Sequence, residues 1–476
     1  MPLTPMRAPT TRRRFLKSAA LGGGGVLAGA AGLNALSPRI WREPLPLDAN
    51  ESFWARSAAP RNPALRQDLV VDVAIVGGGL TGLSAAYFIR KASPGKRVIV
   101  LEAEGCGNGA SGRNGAMVLT MTADRYLSFS ADPQRDKAIY ELTADNIRSL
   151  VGLAAATGID CELDTPGALQ VFNDEGAAEA AQRYVRRARS LGMPVEYWDS
   201  RQVKASIGSE VYRGGYFDPK GGQVHPMKLV RAFKFAAERA GAVIYENTRV
   251  EQVEEGKVHR LRTLEGLTVS AKSLVLASNA FTPNLKFLRN SILPLREYVA
   301  ITRPLSDEEL AAIGWQSRVP FNDDRTEVYY FGLTRDRRIH IGGGAPRYQF
   351  NNGAADPLRL EPERRQLERE LARVFPRLAG VELEAIWQGV IDWSLDASPS
   401  VGRTGKHGNI FYALGYSGHG VNLTSVFGRI IADLEAGHEQ AWTSYPFLNA
   451  HLDYVPNEPL RWAAVETGLA WYALTK

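Results

Sequence analysis

Hydrophobic positions change period several times along this chain, and each change marks an element. Residues 70–76, Val-Val-Asp-Val-Ala-Ile-Val, form an apolar run dense in β-branched side chains and closed by glycine, which predicts a buried strand. A helical stretch follows Gly82, and Arg97-Val-Ile-Val-Leu-Glu102 supplies a second strand, so 70–102 reads as a βαβ unit. Ile139, Leu142, Ile147, Leu150 and Val151 share one side of a helix over 139–153. Strand-like alternation takes over after Asp164. A helix over 227–240, a strand over 242–245, a hairpin near 255–257 and a buried run at 274–277 come next. Past Leu293 the pattern is again that of strands, at 297–302, 327–332 and 338–342, the last two joined across Arg335-Asp336. Leu367, Leu371 and Val374 give the charged stretch 361–373 one apolar helical face, and 422–436 reads as a further helix. The alternation predicts an α/β protein of two interleaved domains.

The first strand runs straight into Gly77-Gly-Gly-Leu-Thr-Gly82, a G-x-G-x-x-G turn, and Glu102 closes the next strand. In this pattern Gly77 permits the tight turn, Gly79 lets backbone approach a pyrophosphate, and Gly82 lets the helix sit close to the sheet. Leu80 and Thr81 open that helix toward the phosphates, and Glu102, followed by Ala103, accepts from ribose hydroxyls. A dinucleotide site is therefore expected here. Five more glycines between Gly105 and Gly115 read as a phosphate-side loop continuing the cradle. A second cluster, Gly415, Gly418 and Gly420, precedes the helix over 422–436.

The chain has 476 residues, 45% hydrophobic and 23% charged, enough for more than one domain. Its formal net charge is +6, but five of its 57 basic residues and none of its 51 acidic ones fall within 1–36. The body is nearly neutral, and no basic arm or basic–aromatic stripe points to nucleic acid. Four of the five sit in Thr11-Arg-Arg-Arg-Phe-Leu-Lys17, ahead of a weakly apolar, glycine-rich run over 18–36. That segment resembles a twin-arginine export signal, which implies the twin-arginine machinery as a partner and a periplasmic or exported protein, anchored if the signal is uncleaved. A cytoplasmic protein with a basic tail is the alternative. Two cysteines, Cys106 and Cys161, exclude a disulfide framework, and seven scattered histidines show no metal-ligand spacing, so no metal is expected.

Together these blocks resemble the D-amino-acid oxidase superfamily of FAD-dependent amine and amino-acid oxidoreductases, in particular its γ-glutamylputrescine oxidoreductase branch. The resemblance covers about 50–470 and rests on several segments in order. Glu51-Ser-Phe-Trp54 resembles the arm before the FAD domain. Gly109-Ala-Ser-Gly-Arg-Asn-Gly115 is similar to the loop beneath the flavin, and Ser278-Asn-Ala-Phe-Thr282 and Ile292-Leu-Pro-Leu-Arg296 to a strand end and crossover. Tyr329 to Gly344 resembles the substrate-domain hairpin, while Trp387-Gln-Gly389, Asp392-Trp393, Asp396 and Pro399 lead into Gly415-Tyr-Ser-Gly-His-Gly-Val421 at the flavin. The resemblance implies an interrupted Rossmann-like FAD-binding domain (69–163, 215–290 and 385–445) interleaved with an antiparallel-sheet substrate domain (164–214 and 291–384). A signal (1–36), an arm (37–68) and a tail (446–476) flank them. FAD contacts are implied for Gly77, Gly79, Leu80, Thr81, Gly82, Glu102, Ala103, Gly109, Ala110, Ser111, Arg113, Asn114, Gly115, Val250, Asn279, Gly415, Gly418, His419, Gly420 and Val421. Some relatives attach flavin through a cysteine in the C-terminal third; none lies beyond Cys161 here, so noncovalent FAD is implied.

Oxidation of a C–N bond in an amine or amino acid is the expected activity, with hydride passing to flavin N5, the imine then hydrolysed, and O2 or a respiratory acceptor taking the electrons. His419, Arg296 and Tyr416 are the catalytic candidates. His419 offers either proton chemistry or a hydrogen bond to backbone or flavin carbonyl. Arg113 and Arg296 suit a flavin oxygen or a substrate carboxylate, with structural ion pairing as the alternative. Tyr329, Tyr330 and Tyr416 suit a pocket wall or core packing. Oxidation of a hydroxy acid or polyol, and an exported FAD-binding electron-transfer module without small-molecule turnover, stay open.

Overall fold

The computed structural model describes residues 43–474 apart from 49, 122–128, 316, 326 and 354–359. The expected export segment, 1–36, lies outside the described residues.

Two large sheets organise the molecule. In the first, Leu69–Val76, Val98–Leu101, Val243–Tyr245, Thr268–Leu276 and Ile410–Leu414 run parallel, and Ser400–Thr404 adds an antiparallel edge beside Ile410–Leu414. Leu69–Val76 is central, between Thr268–Leu276 and Val98–Leu101. Its last four residues are all buried, which is why the run lacks the alternation of a half-exposed strand. Val250–Glu254 and His259–Thr263, the hairpin expected near 255–257, hang from Thr268–Leu276.

Small side chains let helices pack close to this sheet and to each other. Helix Leu80–Ala92 carries Gly82, Ser84, Ala85 and Ala86 on buried positions. A Cβ at Gly82 would lie 2.0 Å from the Gly77 carbonyl oxygen, so this helix can sit on the turn only with glycine there. Ser84 Oγ donates to the Thr424 carbonyl (2.9 Å), tying helix Gly420–Ala436 alongside. Helices Pro133–Thr157 and Pro226–Arg239 add to the same apolar core.

The second sheet is ordered Leu383–Trp393, Leu293–Thr302, Ile339–Gly343, Tyr329–Leu333, Phe321–Asp323, Ala168–Phe172, Gly214–Asp218, Glu196–Asp199. Only Phe321–Asp323 with Ala168–Phe172 is parallel. The hairpin across Arg335-Asp336 forms as the alternation predicts, between Tyr329–Leu333 and Ile339–Gly343. Two strands belong to this sheet that the domain limits drawn from sequence put in the first: Gly214–Asp218 and Leu383–Trp393. Each carries its hydrogen-bond partners in the second sheet, so the chain recrosses after 218 and after 393. The expected tail also contains a helix, Leu460–Leu474.

Short helix Phe53–Ser57 of the arm joins the two sheets. Trp54 is buried, donates from Nε1 to the Asn114 carbonyl (3.1 Å), and meets the rings of His225, His340 and Trp387 edge-on. Burying a side chain of this size stabilises by about 3 kcal/mol.

Candidate active site

Between the sheets lies a cavity of about 980 Å³. One end is built from turns at the carboxyl ends of the parallel strands, where ligands bind in open α/β sheets. Gly77 lines it in a left-handed conformation (φ +110°), and a Cβ there would meet the Ala277 carbonyl oxygen at 2.5 Å. Helix Leu80–Ala92 begins here at Gly79 and helix Gly420–Ala436 at His419, neither capped by its own N-cap side chain, although Ser111 Oγ takes the Leu80 N–H. Five helices elsewhere are capped by side chains, from Asp132, Asp174, Asp199, His225 and Ser306. Uncapped N–H groups and the positive end of the helix dipole make these two termini anion sites.

Glu102 lines the same end. Its Oε2 accepts from Gly78 N–H (2.6 Å) and its Oε1 from Glu104 N–H (3.0 Å). Burial raises its pKa, and the two backbone donors oppose that rise. Each oxygen keeps lone-pair capacity for a ribose hydroxyl. Ala103, Val250 and Asn279 stand on this wall, as do Leu80, Thr81, Gly109, Ala110, Ser111, Asn114 and Gly115 of the cradle and Gly418, His419, Gly420 and Val421 of the second glycine turn. Ser111 Oγ accepts from Leu80 N–H (2.9 Å), joining the loop to the helix start.

Several expected site residues act from behind the wall. Gly82 is packed on Gly77, and Gly415 (φ +75°) donates from N–H to Asp392 Oδ2 (2.7 Å), so both shape the turns without lining the cavity. Arg296 is not on the wall: its Nη1 pairs with Asp48 Oδ1 at 2.6 Å, both side chains 3% exposed. Arg113 reaches the wall, but its guanidinium is engaged by the Gln388 carbonyl (3.0 Å), Asn108 and Asn50. Burial lowers its pKa, while the nearby Asp48 carboxylate raises it. Tyr416 shares a hydrogen bond of 2.8 Å with Thr81 Oγ1, linking the two glycine turns, and Tyr329 is in the second core with its hydroxyl accepting from Gln366 (2.5 Å). His419 Nδ1 donates to the Ser417 carbonyl (3.0 Å), which makes Nε2 the acceptor of that ring.

The other end of the cavity is roofed by the second sheet and helix Glu175–Ser190. Tyr330 crosses between the halves: its ring lies where Cβ atoms of Gly115 and Gly342 would be. Beyond it stand Tyr140, Tyr184, Tyr216, Phe172, Gln170, Asp218 and Asp323. Asp218 accepts from Tyr140 (2.8 Å), Lys220 N–H (2.9 Å) and Thr120 Oγ1, and burial still raises its pKa. Asp323 is pushed up to about 6 by burial, against the pull of Arg325. Of this end, sequence reading singled out only Tyr330. The side chains come from separate strands and two helices, and single aromatic or acidic residues in such elements carry no local signature.

Residues 72–434 match the FAD dependent oxidoreductase family (DAO). The chain is 31% identical to γ-glutamylputrescine oxidoreductase of Escherichia coli (strain K12) over 442 residues, 89% of this chain and 97% of that protein. Among solved structures, glycine oxidase from Geobacillus kaustophilus superposes with a TM-score of 0.69 at 24% identity, covering 81% of this chain and all of that one. L-proline dehydrogenase from P. horikoshii superposes at 0.66 with 19% identity, covering 80% and 98%. The chain belongs to the FAD-dependent oxidoreductases of the DAO family, and FAD is its cofactor. The residues at the first end fit that group: two helix starts for phosphate and flavin, and an acceptor-only carboxylate for ribose.

Proposed function

We propose that this enzyme oxidises a C–N bond of an amine or amino acid. The observation that carries this reading is the continuity of the cavity from the cofactor cradle to a wall of tyrosines and carboxylates on the second sheet. An electron-transfer module without a small substrate has no use for that second end. Likeness to proteins named γ-glutamylputrescine oxidoreductase and glycine oxidase supports the same class. Bound FAD supplies a hydride acceptor for the carbon that bears the nitrogen.

The chain's own residues orient, desolvate and polarise. The N-terminus of helix Gly420–Ala436 opens on the cavity and would offset negative charge gained by FAD held there. Tyr330 and Gly115 fix the surface on which a substrate lies. Carboxylates on the wall attract a protonated amine, whose nitrogen must then lose its proton before hydride leaves the adjacent carbon. Water adds to the released imine, giving a carbonyl compound and an amine. His419 holds its turn through Ser417 and is not required for a proton step.

The test is flavin bleaching without oxygen against amines, amino acids and hydroxy acids. Bleaching by amines or amino acids, with a rate that rises with pH and survives in His419→Ala, is the expected result. Bleaching by hydroxy acids alone overturns the proposal. We also propose export by the twin-arginine route, supported by residues 11–17; the paired change Arg12→Lys and Arg13→Lys should hold the flavoprotein in the cytoplasm, and unchanged periplasmic yield refutes it.

A further inference from the structure

The far end of the cavity is acidic. Its charged lining consists of Asp174, Asp218, Glu297, Asp323, Asp324 and a single cation, Arg325. Arg325 is held between Asp323 and Glu370, with its guanidinium 4.5 Å over the Tyr329 ring. Among the described residues, that wall has no further arginine or lysine to receive a substrate carboxylate.

Asp218 is 4% exposed and has no ion pair among the described residues, yet three donors hold its carboxylate in place. Tyr140, Tyr184 and Tyr216 stand on the same wall, the last two meeting edge-on at 5.7 Å. Tyr216 lines the cavity, and its hydroxyl has no hydrogen bond to any described residue. Ring faces and a fixed carboxylate attract the same ligand, a cation, and an ammonium held there supplies the counter-charge that Asp218 lacks.

We infer that the far end of this cavity binds a second ammonium, so that the substrate is a diamine or polyamine without a carboxylate beside the reacting carbon. Asp218 and Tyr216 are its specificity-determining residues. The inference rests on the amine reading given under Proposed function. It places the reacting nitrogen on the Tyr330 side of the cavity and the second one beyond, in the tyrosine–Asp218 pocket.

Anaerobic flavin reduction of the FAD-loaded enzyme tests it, using butylamine, α,ω-diamines of three to six carbons, spermidine and glycine. A diamine should reach half-saturation at a concentration about tenfold or more below that of butylamine, the factor for a charge-assisted contact. Asp218→Asn should remove that advantage, raising the diamine value about tenfold more than the butylamine value. Tyr216→Leu, which removes the ring, provides a second variant should Asp218→Asn fail to fold, and should likewise raise the diamine value relative to that of butylamine. Titration of oxidised flavin absorbance with a bis-quaternary butane, against its mono-quaternary analogue, reads binding without turnover and should show the same preference. Equal half-saturation for butylamine and every diamine, a preference for glycine, or equal losses for mono- and diamines in Asp218→Asn overturns the inference while the amine reading stands. No bleaching by any amine or amino acid overturns both.

Discussion

The two ends of the cavity are built by different means. The cofactor end is made of backbone: glycines at 77, 79, 109, 115, 418 and 420, two helix starts not capped by their own N-cap side chains, and one carboxylate anchored by two N–H groups. The substrate end is made of side chains: tyrosines and aspartates delivered from separate strands of the second sheet and from two helices, each fixed by partners elsewhere in the chain. Backbone sites recognise what every member of a cofactor class shares, chiefly phosphate and ribose. Side-chain sites can change one residue at a time without disturbing the fold. The difference locates cofactor affinity in local turn geometry and substrate choice in long-range packing.

The strongest way to break this division is Gly77→Ala. The new Cβ would face a carbonyl oxygen at 2.5 Å with φ at +110°. Backbone strain and overpacking together should cost about 2–5 kcal/mol. The variant should purify with little or no yellow colour, and full FAD occupancy would show that the turn does not set cofactor affinity. Glu102→Ala is milder. Loss of a charge-assisted acceptor should weaken FAD by about 1.5–3 kcal/mol, measured by fluorescence titration of apoprotein, with fully loaded enzyme still reduced at its normal rate.

These two changes also mark what the chain discloses before folding. The glycine turn, Glu102 and the helix starts were legible because backbone sites depend on residues close together in sequence. Arg296 takes the ion-pairing alternative rather than the catalytic one, and the sequence could not decide between them: its partner Asp48 lies 248 positions away, and nothing near either residue announces the pair. Arg113 lines the cavity, but neither its hydrogen bond to the Gln388 carbonyl, 275 positions on, nor the Asp48 carboxylate 4.0 Å away is announced by its neighbours in sequence. Asp218, Tyr140 and Thr120 were missed because they meet only through the pairing of strands and a helix. Fold class survived such gaps, since it follows from the period of the hydrophobic pattern. The domain limits implied by the resemblance, at 215 and 385, fall inside strands Gly214–Asp218 and Leu383–Trp393 of the second sheet, because period alone does not say which sheet a strand joins.

An acid-dependent effect concerns the junction that holds the ends together. His340 is buried beside Trp54 with neither ring nitrogen bonded, and burial pushes its pKa down to about 3; His225, on the other side of Trp54, is pushed down to about 4. The unfolded chain takes up protons near the ordinary histidine value while the folded one does not. Stability is therefore complete above about pH 6.5 and lost as pH falls toward 3, at about 1.4 kcal/mol per pH unit for each histidine. His340→Leu should flatten the dependence of Tm on pH between 6.5 and 4 by about one proton's worth. An unchanged slope would place the acid-sensitive groups elsewhere.

The division between the two ends is tested most directly by a crossed measurement: the Kd for FAD and the half-saturating amine concentration in anaerobic reduction, each determined for wild type, Glu102→Ala and Asp218→Asn. Glu102→Ala should shift only the first, and Asp218→Asn only the second. If either substitution moves both quantities by comparable factors, the cavity is one coupled site and the account fails.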